Sequence, residues 1–272
     1  MPIIELSSLR QPGEGLFYHL TDAQLRSRQR PEDGVFIAEG PKVVHTALDA
    51  GMQPLSLLMR RKFLTGLGAE IIARCPEIPV YTGEDEVLAE LTGFHLQRAW
   101  VLAAMRRPAE KTPEEVLQGA RRVAVLENIT EPSNVGAIFR SAAALGVDAI
   151  LISEDCSDPL HRRAVRVCMG SIFRVPWARA AKDRLLPLLR REGFASVGLA
   201  LRDDCLLLDD PKLLQLEKMA LFLGSEDTGL TEETIRGCDY IAKIPMAPGI
   251  DSLNVAAASA VAFWQFRSRN DS

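Results

Sequence analysis

The sequence lacks the short patterns that mark disulfide frameworks, zinc sites and membrane spans. Its five cysteines are scattered, odd in number and never form a CxxC pair, which fits reduced thiols in a cytosolic protein. No uncharged apolar run reaches the roughly 18 residues of a membrane-spanning helix. The N-terminus, MPIIELSSLR, has no basic segment followed by a long apolar core. We therefore expect a cytoplasmic protein without a signal peptide, a metal or a membrane partner.

An excess of positive charge is also absent, because the formal net charge at pH 7 is −4. Basic residues are nevertheless clustered, and local patches can neutralise phosphates on a protein of acidic overall charge. Each cluster fits solvated surface about as well as phosphate contact. The clusters are Arg26, Arg28 and Arg30; Arg60, Arg61 and Lys62; Arg106 and Arg107; Arg121 and Arg122; and Arg162, Arg163 and Arg166.

The patterns of several common enzyme classes are missing as well. GLGAEI (66–71) has only two of the glycines of a dinucleotide-binding fingerprint, and no strand precedes it. No GxxxxGK[ST], HExxH or GxSxG occurs in the chain. Hydride transfer, nucleotide hydrolysis, zinc hydrolysis and serine hydrolysis therefore lose their main support in the sequence.

The sequence does contain an α/β pattern in two parts. Residues 1–105 alternate short apolar strand runs with helices and predict a small α/β domain without a catalytic constellation. Residues 106–122 are charged and interrupted by Pro108 and Pro113, which predicts a linker containing a short capped helix. Residues 123–272 are then expected to form a second α/β domain.

This second domain opens with a strand–helix–strand pattern. The run VAVLENI (123–129) precedes a helix with apolar residues at helical spacing, and VDAILIS (147–153) is the next strand, so a parallel strand pair is expected. The Ala-rich apolar helix at 256–266 predicts burial by this domain or by a partner. Three further strand runs are FASVGLAL (194–201), ALFLG (220–224) and YIAKIP (240–245).

Three segments place small and polar residues where strand-like runs end. NITEPSNVGAIFR (128–140) contributes a lone arginine, Arg140, on an otherwise apolar helix, and this arginine is expected to be buried. LFLGSEDTGL (221–230) and IPMAPGIDSLNV (244–255) each break into a turn that contains glycine. Ligands bind at the carboxyl edge of α/β sheets, and glycine lets the backbone approach a ligand closely. The two turns therefore predict two walls of one pocket.

Taken singly, each polar residue here has a structural explanation, such as a helix cap or a loop carboxylate. Together, in this order and spacing, the segments resemble the three motifs of the SpoU/TrmH RNA ribose methyltransferases of the SPOUT superfamily. NITEPSNVGAIFRSA resembles the first motif, LFLGSEDTGL the second and IPMAPGIDSLNVAAASA the third. The resemblance covers about 123–267. More weakly, FIAEGPKVVHTAL (36–48) resembles the ribosomal-protein-L30e-like substrate-binding domain that often precedes this catalytic domain.

The resemblance implies a trefoil-knotted α/β catalytic domain, S-adenosylmethionine as cofactor, a homodimer formed through that domain, and transfer of a methyl group to a ribose 2′-hydroxyl of RNA. It assigns the cofactor to the strand-end turns, with the turn near 199–202 as a further wall. The implied cofactor-binding residues are Leu223, Gly224, Ile244, Met246, Ser252 and Leu253. The implied catalytic residues are Arg140, Asn134, Glu226, Ser252 and Asn254.

Two roles stay open. Arg140 is either a general base or a group that stabilises an alkoxide or binds phosphate, and the second role is easier to justify because arginine side chains stay protonated. RNA contact is expected from basic residues of both domains, with plain surface as the alternative. These residues are Arg26, Arg28, Arg30, Arg60, Arg61, Lys62, Arg162 and Arg163.

Ribosomal RNA is the first expectation for the substrate, because the L30e-like extension resembles that of ribosomal RNA enzymes, and transfer RNA is the second. Three other interpretations compete. An RNA-binding homologue without catalysis is disfavoured by intact Arg140, Glu226 and Asn254. A knotted enzyme that methylates a base is disfavoured by the SLN of the third motif. A metabolic enzyme for small molecules is disfavoured by the L30e-like half and the basic clusters.

Overall fold

The computed structural model describes residues 2–6, 16–17, 34–93, 95, 101–202, 204–249 and 252–267. Arg26, Arg28 and Arg30, from which RNA contact was expected, lie outside this part of the chain. The chain divides into two units. The first consists of Met1–Ala109 and Leu160–Phe173, and the second of Glu110–Pro159 and Arg174–Ser272. Within the described residues, no helix is both long and apolar enough to cross a membrane.

The first unit has one five-stranded sheet, in the order β1-β4-β3-β5-β2. The strands are β1 (Ile3–Leu6), β2 (Val35–Glu39), β3 (Pro54–Met59), β4 (Val80–Gly83) and β5 (Val101–Arg106). β5 runs antiparallel to both of its neighbours, and the other pairs are parallel. The helices, numbered along the chain, are α1 (Pro41–Asp49), α2 (Ala69–Ala73), α3 (Asp85–Thr92) and α6 (Arg162–Val167), with 3-10 turns at Arg61–Phe63, Gly66–Gly68 and Ser171–Phe173.

Strands β2, β3 and β5 of this sheet have buried apolar runs without alternation. Residues 36–38, 57–59 and 101–105 have no solvent exposure. A strand that is covered on both faces has no solvent side on which polar residues would be favoured, so its sequence is a continuous apolar run. The small α/β domain predicted for the first part of the chain is confirmed.

The segment Leu160–Phe173 belongs to the first unit, although it lies within the stretch 123–272 that was expected to form one domain. Its helix α6 packs against β2. Glu39, the last residue of β2, is only 6% exposed, and its carboxylate oxygens lie 3.2 Å from Nη1 of Arg162 and 3.3 Å from Nη1 of Arg166. Because a buried carboxylate without a cation is costly, these two ion pairs hold α6 against the strand.

The second unit has a seven-stranded, fully parallel sheet in the order β10-β12-β9-β11-β6-β7-β8. The strands are β6 (Arg122–Leu126), β7 (Ala149–Ser153), β8 (Trp177–Ala180), β9 (Ala195–Leu199), β10 (Leu206–Leu207), β11 (Met219–Leu223) and β12 (Tyr240–Lys243). The helices are α4 (Pro113–Leu117), α5 (Pro132–Ala144), α7 (Lys182–Arg191), α8 (Pro211–Leu214), α9 (Glu232–Gly237) and α10 (Val255–Phe266).

The predicted elements of this unit are present. The expected strand–helix–strand pattern is formed by β6, α5 and β7, and the three further strand runs form β9, β11 and β12. Sequence reasoning missed β8 and β10, which are short, and α7, which contains Pro187. β11 lies between β6 and β9, so the carboxyl ends of β6, β11, β9 and β12 follow one another along one edge of the sheet.

Candidate active site

A cavity of about 440 Å³ lies at the carboxyl edge of the parallel sheet in the second unit. Its walls are the turns after β9, β11 and β12, which are neighbouring strands, and the start of α10. Parallel strands end at the same edge, which is why segments distant in sequence meet here. The volume lies within the range of about 300–1,000 Å³ that is typical of ligand sites.

Every residue to which the resemblance assigned cofactor binding lines this cavity, as does Glu226. The predicted additional wall is also present, because residues 199–202 line the cavity. Most of the lining is apolar, and its charged side chains are Arg202, Glu226, Glu232 and Lys243. The cofactor-binding residues in question are Leu223, Gly224, Ile244, Met246, Ser252 and Leu253.

Gly224 is required by the close return of its own loop. A Cβ atom added there would lie 2.2 Å from the carbonyl carbon of Gly229 and 2.3 Å from the amide nitrogen of Leu230. The loop returns so closely because the Gly229 amide donates to the Ser225 carbonyl oxygen at 3.0 Å. The close backbone approach expected at this glycine therefore occurs, but it is an approach between two parts of the protein.

One chain of hydrogen bonds joins the three sequence motifs. Nδ2 of Asn134, in the first turn of α5, donates to the carboxylate of Glu226, in the loop after β11. Nδ2 of Asn254 donates to Oδ1 of Asn134 at 3.1 Å. Oδ1 of Asn254 also accepts the amide of Ala256 at 3.0 Å, so this residue is the N-cap of α10. The structure thus brings together three of the predicted catalytic residues beside the cavity.

Arg140 has a different position from these three residues. It lies four residues after Gly136 on α5, so the two share one face of the helix. Its side chain is exposed, and it makes no hydrogen bond or ion pair with the described residues. The expectation that Arg140 is buried is wrong. The helix buries Val135, Gly136, Ile138 and Phe139, and Arg140 lies at the edge of this packing, where the helix is open to solvent.

A buried carboxylate ties the first motif to the segment that follows the second. Glu127, directly after β6, is 1% exposed. It accepts the amide of Thr231 at 2.8 Å and the hydroxyl of Thr234. Sequence reasoning missed this residue, although a carboxylate directly after an apolar strand run is a signal of the same kind as those used for the other motifs.

Hydrogen bonds from backbone amides to side chains stabilise the turn between β6 and α5. Asn128 has a φ of 55°, in the left-handed region that asparagine tolerates. Its amide donates to Oγ of Ser153 at 3.0 Å, and the next amide, of Ile129, donates to Sγ of Cys156 at 3.2 Å. Burial raises the pKa of the Cys156 thiol, so the thiol stays protonated and donates to the carbonyl oxygen of Leu126 at 3.3 Å. These supports were also missed, since Ser153 ends another strand, β7, and Cys156 lies in the turn after it.

Carboxylates neutralise much of the basic cluster formed by Arg60, Arg61 and Lys62 in the first unit. Nε of Arg60 lies 2.6 Å from Oδ1 of Asp85, and this guanidinium holds the pKa of Asp85 below its usual value. Arg61 forms ion pairs with Glu5 and, at 3.0 Å from Nη1 to Oε1, with Glu84. Three of the local carboxylates thus offset two of the three expected RNA-binding cations.

The other candidate RNA contacts differ in exposure. Lys62 is exposed, with its ammonium 5.2 Å from the centre of the Phe63 ring. Arg162 forms the ion pair with Glu39 described above, and Arg163 is exposed on the same helix. No group of three or more metal-ligating side chains occurs in the described ranges of the chain.

A parallel sheet with an apolar cavity at its carboxyl edge, and beside it an amide–carboxylate network, fits a transferase that uses a nucleoside cofactor. Solved RNA methyltransferases share this fold. An rRNA methyltransferase from Sinorhizobium meliloti, with S-adenosylmethionine bound, matches with a TM-score of 0.82, 25% identity and 97% of each chain. The SpoU methyltransferase AviRb from Streptomyces viridochromogenes matches with a TM-score of 0.78 and 23% identity, over 94% of this chain and 97% of its own.

The sequence model of the SpoU rRNA methylase family matches residues 121–264, and the chain belongs to this family. An uncharacterised tRNA/rRNA methyltransferase of Mycobacterium bovis is 42% identical over 84% of this chain and 79% of its own length. The 23S rRNA (guanosine-2′-O-)-methyltransferase RlmB of Escherichia coli is 33% identical over 52% of this chain and 57% of its own length. The family resemblance, the α/β fold and the enzyme class predicted from the sequence are confirmed.

Proposed function

We propose that the protein transfers the methyl group of S-adenosylmethionine to a ribose 2′-hydroxyl of ribosomal RNA, in the cytoplasm. The observation that carries this proposal is the chain of hydrogen bonds from Glu226 through Asn134 to Asn254, which joins the three motifs beside the cavity. Relatives support it: the Escherichia coli relative is a 23S rRNA guanosine 2′-O-methyltransferase. The five cysteines are free thiols, which suits a reducing compartment.

The cavity fits the adenosine part of this cofactor. Adenine requires an apolar slot bordered by backbone donors and acceptors. Leu199, Leu223, Ile244 and Leu253 supply apolar walls. The first three lie at or next to the carboxyl ends of β9, β11 and β12, and Leu253 lies just before α10. When bound, the cofactor supplies an electrophilic methyl group on a sulfonium sulfur.

Arg140 acts on the acceptor. A ribose hydroxyl is a weak acid and attacks only as its proton leaves, so the site must favour the developing alkoxide. Arginine side chains stay protonated in proteins, which makes a literal general base a poor assignment. An exposed guanidinium without a hydrogen-bond or ion-pair partner among the described residues is instead suited to stabilise that alkoxide or to bind the adjacent phosphate.

Glu226, Asn134 and Asn254 position the reacting groups. The Glu226 carboxylate orients the Asn134 amide, and Asn254 fixes the same amide from the other side while it caps α10. Ser252 lines the cavity close to this network. Holding both substrates in one geometry can supply a large share of the acceleration of a bimolecular transfer.

The first unit contributes RNA recognition and no chemistry. Its weak resemblance to an L30e-like domain supports this role and favours ribosomal RNA over transfer RNA. Lys62 is its better phosphate contact, because its side chain is exposed, whereas Arg60 and Arg61 already have carboxylate partners. Arg163, which is exposed on α6, is a further candidate.

A second copy of the chain completes the catalytic unit. Helix α10 is apolar and packs against α5, yet two of its large apolar side chains are exposed: Trp264 is 56% exposed and Val261 is 42% exposed. Exposed large apolar side chains on such a helix mark an interaction surface, and the family resemblance implies a homodimer. Light scattering should give twice the chain mass at micromolar concentration, and Trp264→Glu should give the monomer mass. A monomer in the wild type contradicts this part of the proposal.

The reaction is tested with purified protein, radiolabelled S-adenosylmethionine and separate ribosomal and transfer RNA. Label should enter ribosomal RNA, and the labelled linkage should resist alkaline hydrolysis, because a methylated 2′-oxygen cannot attack the neighbouring phosphate. Label in a base contradicts ribose transfer, label only in transfer RNA contradicts the assigned substrate, and no label in any RNA contradicts the activity.

A further inference from the structure

Two side chains of opposite charge line the cavity outside the three-motif network. Arg202 comes from the turn after β9, and Glu232 is the first residue of α9. They form an ion pair with each other. Their side chains are 39% and 61% exposed, so the pair lies between the cavity and solvent. An exposed pair of this kind contributes little to folding, and a ligand can replace it at little cost.

The turn that presents Arg202 is fixed through its backbone. Nζ of Lys243 donates to the carbonyl oxygen of Arg202 at 3.2 Å, and Sγ of Cys205 donates to the same oxygen at 2.8 Å. The guanidinium therefore extends from an anchored position. The other two charged residues that line the cavity already have hydrogen-bond partners. Lys243 donates to this carbonyl oxygen, and the Glu226 carboxylate accepts from Asn134.

We propose that Arg202 and Glu232 form the subsite for the amino-acid end of S-adenosylmethionine, an inference that rests on the proposed function. This end carries a carboxylate and an ammonium on a single carbon. A guanidinium beside a carboxylate presents the complementary charge to each, and hydrogen bonds between charged groups are the stronger ones. The apolar remainder of the lining is left for the adenosine part.

The test is calorimetric titration of the full chain with two stable ligands. S-adenosylhomocysteine carries the amino-acid end, and 5′-methylthioadenosine is the same adenosine thioether without it. The wild type should bind S-adenosylhomocysteine about ten-fold more tightly or better, since charged hydrogen bonds are lost in the shorter ligand. Arg202→Gln and Glu232→Gln should each lower the affinity for S-adenosylhomocysteine about ten-fold and leave that for 5′-methylthioadenosine within about two-fold.

Two neighbours serve as matched controls. Glu233 and Arg236 lie on the same helix α9 and do not line the cavity. Nε of Arg236 is also 3.9 Å from Oε2 of Glu232. Replacing Arg236 therefore removes a positive charge beside Glu232 without changing the cavity wall. Glu233→Gln and Arg236→Gln should leave both affinities unchanged.

A structural role for the pair predicts different results. The double variant Arg202→Glu/Glu232→Arg keeps an ion pair but exchanges its ends, so the preference for S-adenosylhomocysteine should stay lost. Restored preference in this variant, or equal loss of both ligands in the single variants, would overturn the subsite. Unchanged affinities for both ligands in the single variants would also overturn it and leave the proposed function standing. A wild type that binds neither ligand would end both.

Discussion

Replacing Arg140 by alanine should separate catalysis from folding. The side chain is exposed and makes no hydrogen bond or ion pair with the described residues, so the free energy of unfolding should change by no more than about 0.5 kcal/mol. For a unit of this size that is a shift in Tm of about 2 °C or less. One preorganised donor to a developing oxyanion contributes about 2.7–4 kcal/mol, so kcat should fall about 10²–10³-fold.

The assay is single-turnover methyl transfer to saturating ribosomal RNA, with Tm and S-adenosylhomocysteine affinity measured on the same preparation. Arg140→Lys is the matched variant, because it keeps the charge but loses the planar fork of donors, and it should retain part of the rate. A fall in Tm of many degrees with unchanged activity per folded molecule would refute the catalytic assignment. So would a loss of cofactor affinity as large as the loss of rate.

Three further substitutions test the cavity and its support. Ala258 lines the cavity from α10, so Ala258→Phe should place a ring there and abolish S-adenosylhomocysteine binding in calorimetry with little change in Tm; wild-type affinity would show that the ligand binds elsewhere. Gly224→Val should instead lower Tm, because its side chain meets the backbone of Gly229, and an unchanged Tm would contradict that steric reason. Glu127→Ala leaves an amide and a hydroxyl without their acceptor and should cost about 1–3 kcal/mol, measured as a Tm lower by about 2–4 °C per kcal/mol, with Glu127→Gln intermediate.

Local sequence pattern was sufficient for most of the strands and for two of the turns around the cavity, and the family resemblance supplied the individual cofactor-binding residues. Strands β6, β7, β9 and β11 are covered on both faces, so each appears as an apolar run bounded by turn residues. In a parallel sheet the ends of such runs share one edge, which is why the turns after β11 and β12 could be assigned to one pocket before the order of the strands in the sheet was known. The turn after β9 was added by the family resemblance.

The nature of each contact could not be predicted in this way. A glycine at position 224 is compatible with close approach of either a ligand or the Gly229 backbone, and the sequence does not distinguish the two. Whether Arg60 or Arg61 is available to phosphate depends on carboxylates such as Glu5 and Asp85, which the fold brings from distant parts of the chain. The same reason hid the Arg202–Glu232 pair, because each residue alone resembles an ordinary charged loop or helix residue.

The contribution of the first unit to RNA recognition should be tested by substitution and not by truncation. A chain that starts at residue 110 still contains Leu160–Phe173, whose contacts belong to the unit that has been removed. In such a chain Arg162 and Arg166 lose the carboxylate of Glu39, and the apolar side of α6 loses β2. If the shortened chain were inactive, the newly exposed helix would explain the result as well as the loss of an RNA-binding unit would. Reversal of the charge of Lys62 in the full chain leaves those contacts in place, and a lower salt dependence of RNA binding would then report lost phosphate contacts.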